Sequence, residues 1–165
     1  MTPYAAGHVH RFAAAARALC SLVESLPATP TSDARDLEGR LLALHLAALD
    51  LPDVQPDTDN SEPPLDLTLI NKARLAALPV ELYWDVFDPF RTPPDAPVAN
   101  SAVDDVQDIY SDVKRGLLLF DAGLVLNAAW HWRFTFASHW GEHLVGLVRA
   151  LHLAGRNGVG SVEIK

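Results

Sequence analysis

Cysteine is almost missing from this chain: Cys20 is the single one in 165 residues. An intramolecular disulfide and a thiolate metal cluster are both excluded, so a reducing, cytoplasmic setting is the simpler expectation. Positive charge is scarce as well. Lys and Arg number 13 against 21 Asp and Glu, a net charge of −8, and no basic run interrupts that balance. A general affinity for nucleic acid or for anionic membranes is therefore not expected. Long apolar runs are lacking too: no stretch could span a bilayer, and Arg11 and Arg17 break up the alanine-rich start, so neither a membrane span nor a secretion signal is expected. A phosphate-cradling glycine loop and a nucleophile elbow are absent.

What is present is helix. Residues 124–153 read as one helix of roughly eight turns, with no proline and with Gly141 and Gly146 as its weak points. On a wheel of about 100° per residue, Val125, Ala129, Trp132, Phe136, Trp140, Leu147 and Leu151 form one apolar stripe. Trp130, Phe134, Ala137, Gly141, Val145 and Val148 form a second, roughly opposite, and only a narrow ribbon stays polar. A helix apolar over most of its circumference is normally surrounded by others. It is expected to be the central post of a bundle, with Trp132, Phe136, Trp140 and Leu147 nearly inaccessible, and its apolar surplus makes it a candidate homodimer face.

The preceding segments supply the partners. A first helix is expected from Pro3 to about Leu26, burying Phe12, Ala16, Leu19, Val23 and Leu26. A second runs from about Asp33 to Leu49 on Leu37, Leu41, Leu44 and Ala48. The proline-rich, acidic stretch 51–64 reads as a mobile surface loop. A third helix is expected over about 67–78, and 79–89 fits a helical turn or a short extended piece equally well. The fourth helix begins at Asn100 or Ser101, where Ser101 and Asp104 have capping spacing, and ends in the Asp121-Ala122-Gly123 turn. Its buried face is Val106, Ile109, Tyr110, Val113, Leu117 and Phe120, beside an acidic stripe of Asp104, Asp105, Asp108 and Asp112. The expected fold is all-α: a five-helix bundle packed around the long C-terminal helix, a single domain over 1–155 with a flexible tail at 156–165.

Three stretches together carry a family resemblance: Tyr83-Trp84-x-x-Phe87-Asp88-Pro89, then Asp104-Asp105-x-x-Asp108-Ile109-Tyr110-x-Asp112, then Trp132-Arg133-Phe134-x-Phe136-x-x-His139-Trp140-Gly141-x-His143. In this order they resemble the bacterial family called domain of unknown function 5063, over the C-terminal half of the chain above all. The resemblance implies a helical, cytoplasmic bacterial protein and brings no activity with it.

The residues able to carry chemistry lie on the last two helices. Their tight turn makes them antiparallel, so residues equally far from Ala122 are level. Asp112 falls level with Trp132 and Arg133, Asp108 with Phe136, Asp105 with His139, and Ser101 with His143. An Asp112–Arg133 ion pair and an Asp105–His139 hydrogen bond are the expected contacts. The candidate polar site is thus Asp105, Asp108, Asp112, Arg133, His139 and His143. His139 and His143, four apart, leave one helix face and can converge on an ion, with Asp105 or Asp108 adding a carboxylate and His45 or His8 a third nitrogen. A structural hydrogen-bonding role is the plainer expectation for these histidines, so no metal or other cofactor is expected; if a divalent metal binds, His139, His143 and Asp105 are its candidates. His139 to His143 also spells the H-x-x-E-H string of inverted zinc peptidases, without the surrounding context that such enzymes need. The favoured reading is a non-catalytic module that binds a protein partner or a small ligand. The alternative is a metal-dependent, hydrolase-like enzyme with its site between the fourth and last helices.

Overall fold

A computed structural model describes residues 3–25, 30–57, 63–86 and 88–157. Helix α1 (Pro3–Glu24) and helix α2 (Pro30–Leu49) form where apolar residues recur at helical spacing. Their buried faces are the expected ones, Phe12, Ala16, Leu19 and Val23 on α1 and Leu37, Leu41, Leu44 and Ala48 on α2. Leu26 lies outside the described residues, as do residues 158–165 of the expected tail.

Helix α4 (Ala102–Asp121) starts where the capping spacing places it: the Ser101 hydroxyl accepts the Asp104 N–H at 3.3 Å. It stops at Gly123, whose φ of +82° is the left-handed conformation that the turn requires. The last helix is a single run in three parts: α5 (Val125–Thr135), a π-helical turn (Phe136–Trp140) and α6 (Gly141–Asn157). The helix therefore continues past residue 155, and the expected tail loses its first two positions to it.

Two expectations about the bundle are corrected. Among the described residues there are four long helices, not five. The stretch expected as a third helix forms only a 3-10 turn (Leu67–Leu69) and a five-residue helix, α3 (Lys72–Ala76). Polar side chains interrupt it: Asp66 accepts the Thr68 N–H at 2.9 Å, and Asn71 donates its backbone N–H to Val23 O at 3.0 Å and its side-chain amide to Ser25 O at 2.7 Å. Those bonds pull the backbone onto the end of α1 and away from helical pairing. Nor is the last helix a central post. It occupies one corner of a ring in which α1 packs on α2 and α4, while α2 and α4 both pack on the last helix. Its first stripe faces inward, where fully buried Trp132 and Trp140 meet Phe12 at ring distances of 4.7 and 6.1 Å. Its second stripe faces outward at Phe134 and Val145, both exposed, and Phe136 is only half-buried.

Strand β1 (Leu82–Asp85) settles the stretch that the sequence leaves open. It is extended, and it pairs antiparallel with β2 (Val98–Ser101) in the register Leu82 to Ser101 and Asp85 to Val98. Because Ser101 is also the N-cap of α4, this two-stranded arm is anchored to the start of that helix. The loop after α2 is pinned at its root rather than mobile there. Leu51 is buried, and the backbone N–H of Asp57 donates to the Asn127 side chain at 3.3 Å.

Candidate functional site

The acidic stripe of α4 carries two carboxylates that are nearly inaccessible, Asp105 at 3% and Asp112 at 7% exposure. A buried carboxylate must be matched by donors or cations, because its desolvation otherwise costs several kcal/mol, roughly. Histidines of the last helix supply the match. His139 Nδ1 lies 2.8 Å from Asp112 Oδ2, and His143 Nδ1 lies 2.8 Å from Asp105 Oδ1. Asp105 is satisfied on its other oxygen by the Tyr83 hydroxyl, which donates to Oδ2 at 2.6 Å from strand β1. Arg115, one turn along α4, stands 3.6 Å from Asp112 Oδ1.

A carboxylate can only accept, so each ring donates from Nδ1, and in the neutral ring Nε2 keeps its lone pair. The two rings stand edge to face with centroids 5.0 Å apart. Asp108, one turn from both buried acids, completes the group: its Oδ2 is 3.9 Å from His143 Nε2. One ligand atom each from Asp108, His139 and His143 lies within 4.8 Å of the others. The interior face of the cluster is thus hydrogen-bonded to buried acids. The outer face presents imidazole and carboxylate at the protein surface, with the His139 and Asp108 side chains 47% and 46% exposed. The hydrogen bond to Asp105, then the charges of Asp105, Asp108 and Glu142, hold the His143 pKa above its ordinary value against the opposing effect of burial. Burial, reinforced by the bond to Asp105, pushes the Tyr83 phenol upward, so it stays a proton donor.

The structure brings Asp105, Asp108, Asp112, His139 and His143 together and leaves Arg133 out. The expected Asp112–Arg133 pair is not formed: Arg133 donates to Leu51 O at 3.0 Å and its Nε stands 3.8 Å from Asp53. Likewise His139 takes Asp112, not Asp105. Close to the turn the level register holds, since Trp132 Nε1 donates to Val113 O and His131 Nε2 lies 3.0 Å from Asp112 O. Further out, side chains pair obliquely. Every helical side chain leans toward its own N-terminus, so across an antiparallel pair a residue of α4 meets one further from the turn than its level partner. The wider π turn, carrying His139 itself, adds to the displacement. Asp105 is consequently an orienting residue with both oxygens occupied, and Asp108 takes the outward place beside the rings.

His8 and His45 are not in this group. His8 pairs with Arg11 and Asp50, while His45 packs edge-on against Phe136. Glu142 of the H-x-x-E-H string is exposed and stands outside the group as well. Two participants escaped sequence reasoning. Tyr83 sits in the segment of open type, and its role depends on a strand that no alternation announces. His131, on neither apolar stripe of the last helix, is buried against the backbone of Asp112; its place one residue before Trp132, which is level with Asp112, was the signal that could have found it.

Comparison with known proteins adds a family and a fold. The family described as Domain of unknown function (DUF5063) matches residues 5–155. The crystal structure of protein BF1032 from Bacteroides fragilis superposes with a TM-score of 0.70 at 23% identity, covering 90% of this chain and 95% of that one. No curated protein matches the chain.

Proposed function

Since the chain belongs to the domain of unknown function 5063 family, whose description names no activity, we propose a function on the site alone: a module that binds a divalent metal through Asp108, His139 and His143. The observation that carries this reading is the way the two imidazoles are held. Each is fixed through Nδ1 by a buried aspartate, and a third carboxylate, Asp108, stands 3.9 Å from Nε2 of His143 and within 4.8 Å of a ligand atom of His139. Metal-binding histidines are held in this manner, the acid setting the tautomer and raising the basicity of the ligating nitrogen. Asp108 stands beside Nε2 of His143, the ring nitrogen that the bond to Asp105 leaves free, where it can serve as a ligand as well as a counter-charge to the protonated ring.

Two nitrogens and one oxygen, without thiolate, suit a borderline first-row ion such as zinc, manganese or ferrous iron. Neighbouring ligand atoms around such an ion lie about 3.0–3.4 Å apart, so the group must close by about an ångström. The half-exposed side chains of His139 and Asp108 leave freedom for that movement. Three protein ligands leave coordination positions free for water or for an oxygen-bearing small ligand, which makes the module a ligand-binding one through its metal. The compartment consistent with this chemistry is a reducing cytoplasm, the one thiol being buried. No helix among the described residues is long and apolar enough to cross a membrane.

Thermal melts of untagged protein test the proposal. At a zinc concentration about 100 times Kd, binding to the folded state alone stabilises by about 2.7 kcal/mol, a rise in Tm of about 5–10 °C for a chain of this size. The rise is expected to vanish with chelator and in His139→Ala and Asp108→Ala. A rise that persists in both variants, or none with zinc, manganese and iron alike, refutes the reading.

A further inference from the structure

Strands β1 and β2 contribute four residues each. A two-stranded pair of that size is at best marginally stable in water by itself. The loop that joins the strands carries Pro89, Pro93, Pro94 and Pro97 and an exposed Phe90. Something must hold the arm against the bundle, and the structure offers a specific fastening. The Tyr83 side chain reaches from β1 to the metal-site helix, where its hydroxyl donates to Asp105 Oδ2 at 2.6 Å. On the way it fills a notch at Gly146 of α6: a Cβ there would lie 2.6 Å from Tyr83 Oη, 3.2 Å from its ring and 3.2 Å from Asp85 Oδ2. Any side chain at 146 would displace the tyrosine, so the glycine is a condition of the contact.

The fastening ends on a residue that does something else. Asp105 gives one oxygen to Tyr83 and the other to His143 Nδ1, at 2.6 and 2.8 Å, and is closed to solvent. The carboxylate can hold the imidazole in one orientation only if it is itself held, and the arm is what holds it. Resting on the metal reading above, we infer that Tyr83 is a positioning residue of the site, and that metal occupancy and docking of the β1–β2 arm are coupled through the chain Tyr83–Asp105–His143. Coupling of this kind is reciprocal: an arm that improves metal affinity by some factor is itself stabilised by the metal by the same factor. Loss of an outer partner of a ligating histidine commonly weakens metal binding about 10–100-fold, which sets the expected size.

The test uses the full untagged chain, zinc as ligand, and two variants that reach the contact from opposite sides. Tyr83→Phe deletes the hydroxyl, and Gly146→Ala pushes the Tyr83 ring out without changing either Asp105 or Tyr83 chemically. Both are expected to weaken zinc binding in competition with a chelating dye by about 10–100-fold. Cobalt at saturation is expected to give an altered visible spectrum in both, a change that a general loss of stability would not produce. In the wild-type protein, zinc is expected to slow amide exchange at 82–85 and 98–101 by a comparable factor, a readout that needs no variant to fold. Unchanged zinc affinity in both variants, with strand exchange indifferent to zinc in the wild type, overturns the coupling and leaves the metal site standing. A wild-type chain that binds no metal overturns both.

Discussion

At the scale of single residues, two groups on different helices have proton affinities moved in ways that can be measured. His143 is held above its ordinary pKa of 6.5 by its hydrogen bond to Asp105 and by surrounding carboxylates. The folded protein therefore keeps that proton more tightly than the unfolded chain does. The stability gained is fully present below about pH 6.5 and is lost as pH rises through the elevated folded value. Urea unfolding of metal-free protein from pH 6 to 9 is expected to show this loss, and His143→Gln to flatten it; an equal slope in the two proteins contradicts the assignment. Cys20 is displaced upward for a different reason. Burial raises its thiol from 9.0 to about 12, so almost no thiolate exists at neutral pH. Iodoacetamide at pH 8 is expected to leave the native protein unlabelled and to label it in denaturant, while rapid native labelling would show that the α1 core is open. Reading Cys20 as a small packed side chain was within reach of the sequence, because a lone cysteine on the apolar face of a helix has no other environment. The pairing of His143 was not, because it depends on which way two side chains lean.

At the scale of elements, what was legible follows from periodicity and caps. The faces of α1, α2 and α4, the Ser101 cap and the Gly123 turn all appear where local pattern puts them. The failures share a cause, namely tertiary bonds that override local preference. The hydrogen bonds of Asn71 to the end of α1 dissolve the expected third helix, and Tyr83 earns its place from Asp105 and the Gly146 notch. The π turn was equally hidden, since Phe136–Trp140 keeps an apolar spacing that a straight helix would also satisfy. Its energetics make a contrast. Leu147, fully buried on α6, is expected to cost about 2–5 kcal/mol on truncation to alanine, and half-buried Phe136 less than the roughly 3–5 kcal/mol of a fully enclosed aromatic. Chemical denaturation of Leu147→Ala and Phe136→Ala checks this, and a larger loss at Phe136 would mean that the last helix is more enclosed than the ring arrangement allows.

For the whole molecule, four long helices make a ring whose buried cluster spans α1, α2, α4 and the last helix. The proposed site lies on one seam of that ring, where the acids of α4 face the histidines of the last helix and Tyr83 of the β1–β2 arm reaches Asp105. On the proposed reading, a chain with a net charge of −8 and three acids along this seam draws cations toward it, and the two imidazoles supply the nitrogen ligands. Crystals grown with zinc and measured at its absorption edge test this claim most directly. The account predicts an anomalous peak about 2.0–2.2 Å from Nε2 of His139, Nε2 of His143 and a carboxylate oxygen of Asp108, with Nδ1 of each ring still bonded to Asp112 and Asp105. A saturated crystal in which that position stays empty, or in which zinc lies on other residues, would contradict it.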